Sequence, residues 1–66
     1  MRAKLISYAT RDDLNTDNPE YEEEIDSVTE AVKLARNYIA EARRKKNFAG
    51  FKIYDVNGVL KHKLNN

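Results

Sequence analysis

The chain predicts an α+β fold: one amphipathic helix packed on one face of a three-stranded sheet, in the order β-α-β-β. Three observations carry that prediction. Ser27-Val28-Thr29-Glu30 opens a run with helical apolar spacing, Asn57-Gly58 sits between two β-rich runs, and Ala3–Thr10 is a third stretch of extended-structure formers.

In the first strand Ile6, Tyr8 and Thr10 favour extended backbone, and Arg11-Asp12-Asp13 ends the run. Residues 12–26 follow as an acidic loop, long enough for the first strand to pair with either strand of the hairpin or with another molecule. The helix is placed at 28–46. Ser27 and Glu30 can each satisfy an orphan backbone donor of its first turn. At 100° per residue Val28, Ala31, Val32, Leu34, Ala35, Tyr38, Ile39 and Ala42 share one face, while Thr29, Lys33, Arg36, Asn37, Arg43 and Arg44 lie opposite. Asn47 or Gly50 supplies the left-handed residue that ends it.

The hairpin runs from Phe51 to Val56 and from Val59 to Leu64 around a two-residue Asn57-Gly58 turn. That register puts Val56 opposite Val59, Tyr54 opposite Lys61 and Lys52 opposite Lys63 on one side. Phe51, Ile53, Leu60 and Leu64 lie on the other, with Asp55 and His62. A three-residue loop shifts the pairing by one and mixes Lys61 and Lys63 into the apolar face, so the even loop is preferred.

A chain of 66 residues holds one modest core, burying only about 60% of the surface its unfolded form exposes. One domain is expected over 1–66. With 41% hydrophobic residues against 35% charged, the composition is globular. There is no cysteine, which excludes disulfides and thiolate metal sites and fits a cytoplasmic setting. No apolar run reaches the length of a signal peptide or a membrane span, so no membrane partner is expected.

Charge is split along the chain. From Asp12 to Glu30 there are nine acids and no base; from Ala31 onward there are nine bases and two acids, and the net charge of +1 conceals the division. Two opposite surfaces on one small domain can each recruit a partner of opposite sign, including a second copy of the chain.

Four constellations are candidates for function. Lys52, Lys61 and Lys63 around Tyr54 form a basic ribbon face with one stacking ring, which protects a sheet edge by the commoner device or, beyond that, suits phosphates and bases. Arg43, Arg44, Lys45 and Lys46 offer a second anion site, or simply complement the helix dipole, with Glu41 and Lys45 an i,i+4 pair. Phosphate binding gains from the two clusters only if they share a surface. Residues 13–24 resemble an EF-hand calcium loop at four positions, Asp13, Asn15, Asp17 and Glu24. The turn glycine of that family is replaced by Asn18, and its apolar eighth position by Glu20. Unpaired by metal, the acids Glu20, Glu22, Glu23 and Glu24 form a surface for a basic protein partner, or one that imitates nucleic-acid charge. Finally His62, across from Ile53 and near Asp55, could support acid-base chemistry if a nucleophile and a pocket were present.

No nucleophile signature, second histidine or phosphate-binding glycine loop accompanies His62. The expectation is therefore a non-enzymatic module with no cofactor and no small-molecule substrate: a protein-binding domain or inhibitor acting through an exposed sheet edge and its charged surfaces. The alternative is a nucleic-acid-binding domain using the basic hairpin face and helix end. The outline is similar in layout and size to compact inhibitor proteins, including some anti-CRISPR proteins. No motif accompanies that likeness, and no site is carried over from it.

Overall fold

The computed structural model describes residues 2–66. Its elements are β1 (Ala3–Tyr8), α1 (Arg11–Thr16), β2 (Tyr21–Ile25), α2 (Val28–Arg44), β3 (Gly50–Tyr54) and β4 (Leu60–Asn65). The class is α+β as expected, but the sheet has four strands, ordered β2-β1-β3-β4 with every neighbouring pair antiparallel.

The extra elements come from the segment expected to be an acidic loop. Thr10 caps α1 by accepting the Asp13 N–H at 3.0 Å, and Leu14 is driven into the fold at 1% exposure. Tyr21, Glu23 and Ile25 alternate on one face of β2, which pairs with β1 from Ala3↔Ile25 to Ser7↔Tyr21. β1 is thus a central strand, paired with β3 on its other side.

Each face of the sheet carries a helix. On one, Leu5, Phe51 and Ile53 pack against Ala31, Ala35 and Ile39 of α2, with Ile25, Val28, Val32, Leu34, Ala49 and Leu64 around them. Ala31 and Ala35 are fully buried, and their small side chains let the helix approach the sheet closely. Tyr38, expected in the apolar stripe, is half exposed and stacks on Phe51 with ring centroids 5.8 Å apart. On the other face α1 covers one end only. Leu14 reaches Gly50, where an added Cβ would lie 3.2 Å from Leu14 Cδ2 and 2.8 Å from the Phe48 ring.

Helix α2 begins as predicted, with Ser27 Oγ accepting the Glu30 N–H. It ends through Lys46 rather than Asn47 or Gly50: Lys46 has φ 58°, its N–H donates to Arg43 O, and the Asn47 N–H donates to Ala42 O at 2.8 Å. These are the paired bonds of a Schellman motif. Asn66 fastens the last strand, its Oδ1 accepting the Ala49 N–H and its Nδ2 donating to Asn47 O.

The hairpin turn also differs from the two-residue form. Asp55 N–H donates to Val59 O and Gly58 N–H to Asp55 O, closing a three-residue loop of Val56, Asn57 and Gly58 with Gly58 at φ 78°. Asp55 Oδ1 accepts the N–H groups of Asn57 and Val59 and holds the loop in place. A bulge then absorbs the resulting one-residue shift. Tyr54 pairs with Leu60 and Ile53 with His62, so Lys61 is the extra residue. Beyond it Lys52 faces Lys63 and Phe51 faces Leu64, the register of the even loop.

Candidate interaction edges of the sheet

The strand order places the two most charged strands at the two edges. β2 presents Glu22, Glu23 and Glu24, preceded by Glu20; β4 presents Lys61, His62 and Lys63. An edge strand leaves alternate backbone N–H and C=O groups unpaired, and these two edges surround them with opposite charge.

On the acidic edge the face opposite α2 is partly neutralised from within. Lys4 Nζ lies 3.2 Å from Glu22, and Arg2 bonds to Glu24, which holds the guanidinium above its ordinary pKa. All four side chains are more than half exposed, so these pairs exchange readily with solvent or another chain. Glu20 and Glu23 lie on the α2 side, where with Leu5, Tyr21, Tyr38 and Phe51 they line a shallow groove of about 260 Å³. Tyr21 is 61% exposed in it.

At the basic edge Lys61 is held 3.7 Å from Asp55, whose carboxyl sits below its ordinary pKa chiefly because it accepts the Val59 N–H. Lys63 is exposed and makes no salt bridge among the described residues. On the α2 side Leu64 lies with Arg36, Ile39, Ala40 and Arg43 along a second open groove of about 340 Å³. On the α2 side the acidic edge therefore carries Glu20 and Glu23 of the β2 segment itself, and the basic edge carries Arg36 and Arg43 of α2.

The candidate residues do not all come together. Lys52 is turned inward, its side chain 13% exposed, with Nζ 3.2 Å from Asp17 Oδ1 and 5.3 Å from the centre of the Tyr8 ring. Tyr8 is buried and donates its hydroxyl to the same Asp17 carboxylate. That bond and Lys52 hold the Asp17 carboxyl below its ordinary pKa, while burial and the carboxylate push the Tyr8 phenol well up. This triad joins α1 to the sheet and occupies the lysine expected to lead the basic ribbon. Arg44 and Lys45 both reach Glu41, at 2.8 and 3.5 Å, while Lys46 ends the helix through its backbone and leaves its side chain exposed. Lys52 and Lys63 share the face opposite α2, so they and the Arg43–Lys46 cluster do not form one surface.

The calcium-loop positions are dispersed. Asp13 and Asn15 belong to α1, Asp17 ends it in a left-handed conformation, and Glu24 lies on β2. Asn18 Nδ2 donates to Asp13 Oδ1, and no group of three or more potential metal-ligating His, Asp or Glu side chains occurs among the described residues. His62 lies exposed on the α2 side, and Asp55 spends its carboxylate on the turn and Lys61.

Sequence reasoning missed β2, although a signal was present: Tyr21 and Ile25 at period two around Glu23. It was hidden by the charge of the intervening acids. No helix among the described residues is long and apolar enough to cross a membrane. Compared with protein-family models, with curated proteins and with solved structures, the chain has no significant match.

Proposed function

We propose that this protein is a non-enzymatic binding module that engages other polypeptides by strand addition at its sheet edges. The supporting observation is the pair of unpaired edge strands with opposite charge, Glu22–Glu24 on β2 and Lys61–Lys63 on β4. Strand addition takes its affinity from backbone hydrogen bonds and its selectivity from the alternating side chains that flank them. The β2 edge suits a basic extended segment, the β4 edge an acidic one.

The test uses amide-resolved NMR with two extended peptide probes, one alternating lysine with threonine and the other alternating glutamate with threonine. The first is expected to give saturable shifts along Tyr21–Ile25 and the second along Leu60–Asn65. Reversing the charges of Glu20, Glu22, Glu23 and Glu24 should abolish the first and spare the second. Absence of saturable shifts at both edges would refute the reading. Salt-sensitive shifts with a single-stranded oligonucleotide but with neither peptide would favour a nucleic-acid interface instead. The withdrawal of Lys52 into its contact with Asp17 and Tyr8 weighs against that alternative.

A further inference from the structure

We propose that the partner of each edge is a second copy of this chain, the acidic β2 edge of one copy pairing with the basic β4 edge of the next in an open-ended antiparallel sheet. The inference rests on the edge-binding reading and specifies its occupant. Strand direction supports it first. With neighbouring strands antiparallel in the order β2-β1-β3-β4, β2 and β4 run in opposite directions. A copy displaced sideways in the plane of the sheet thus brings its β2 antiparallel to the first copy's β4, with α2 on the same face of both.

Charge then selects among the three edge pairings available. β2 against β2 sets glutamates opposite glutamates, and β4 against β4 sets lysines opposite lysines. Only β2 against β4 joins unlike charge. One register aligns the two strands throughout: Tyr21 opposite Leu64, Glu22 opposite Lys63, Glu23 opposite His62 and Glu24 opposite Lys61. In the same register the acids would meet the bases on each face, and Tyr21 and Leu64 would meet on the α2 side.

Backbone polarity agrees. Asn66 N–H donates inward to Ala49 O, so the alternation of an antiparallel ladder turns Leu64 and His62 toward β3 and Lys63 outward, up to the bulge at Lys61. Carried across β3 and β1, the same alternation turns Glu22 and Glu24 outward on β2. Glu22 and Lys63, both outward, are a pair the register places opposite one another. On the α2 side, Arg36 and Arg43 from the helix of one copy would lie toward the flank of the next that carries Glu20 and Glu23. The contact is heterologous, so it propagates rather than closing into a dimer. Its short edge makes it weak and dependent on concentration and salt.

Sedimentation velocity across a concentration series at low salt, with fold checked by amide NMR spectra, tests the proposal through two variants. E22K/E24K makes both edges basic, and K61E/K63E makes both acidic. The wild type is expected to grow beyond the monomer with concentration and to return to monomer at high salt. Each variant alone should associate at least about tenfold more weakly, and an equimolar mixture of the two should recover association. If a charge-swap variant fails to fold, Lys63→Pro serves in its place, because the Lys63 N–H points outward and its loss blocks the edge without breaking an internal bond. A wild type that stays monomeric throughout, association indifferent to these changes, or a mixture of folded charge-swap variants that fails to recover it would overturn the proposal. Peptide binding at the edges by a protein that stays monomeric overturns self-pairing alone; loss of both overturns the edge-binding reading as well.

Discussion

Replacing Lys46 with glycine is expected to stabilise the protein. Lys46 has φ 58° at the end of α2, it is exposed, and it makes no salt bridge among the described residues. An L-residue in the left-handed region costs about 1 to 2 kcal/mol, which glycine avoids. Glycine returns about 0.5 to 1 kcal/mol through the greater freedom of the unfolded chain. The ranges differ by a gain centred on about 0.75 kcal/mol, or a rise in Tm of about 3 to 6 °C for a domain of this size. Urea and thermal unfolding followed by circular dichroism measure it, with Lys46→Ala as the control that removes the charge and keeps the strain. Asp17 provides the contrast, with nearly the same backbone at φ 57°. Its carboxylate accepts bonds from Tyr8 and Lys52, so Asp17→Gly should lower Tm where Lys46→Gly raises it. A Lys46→Gly protein no more stable than wild type, or an Asp17→Gly protein that gains equally, would refute the argument.

Gly50→Ala should destabilise the fold by about 1 to 2 kcal/mol, seen as a lower urea midpoint, because its Cβ would sit 2.8 Å from the Phe48 ring and 3.2 Å from Leu14. Tyr8→Phe should cost about 1 kcal/mol by the same assay, and NMR should show Lys52 and α1 loosening, since the hydroxyl bond to Asp17 is lost. Asp17 and Asp55 both have carboxyl pKa values lowered from 3.8 in the fold, so the unfolded chain takes up their protons first as pH falls. Their stabilisation is complete above that value and is lost as pH drops below it through the folded pKa. Acid titrations of stability should therefore be flatter below about pH 4 for Asp17→Asn and Asp55→Asn than for wild type; equal slopes would contradict the assignment.

Local signals located α2 and the strands of the hairpin because each is encoded within a few residues. Ser27 caps its own helix, and the alternation at Phe51-Lys52-Ile53 marks its own buried face. The acidic segment was harder to read. Thr10 and Leu14 mark α1 only weakly, and Tyr21–Ile25 reads as solvated chain until β1 lies beside it to take up its backbone bonds. The turn was misassigned for a related reason. Asn57-Gly58 is compatible with more than one loop length, and the choice rests with Asp55, whose carboxylate stabilises the three-residue form, and with the bulge at Lys61 that restores the register.

The candidate site divides in the same way. The sequence by itself determined that an acid-only stretch from Asp12 to Glu30 precedes a mainly basic remainder, that one helix carries the main apolar stripe, and that Lys52 and Lys63 face one another. These follow from composition and from local periodicity. Only the tertiary structure decided that the acidic segment supplies an edge strand, that β1 lies between β2 and β3, and that Lys52 turns inward to Asp17. Strand order depends on which distant segments bury apolar surface together, and that choice turned a charge split along the chain into opposite charges at the two edges of one sheet.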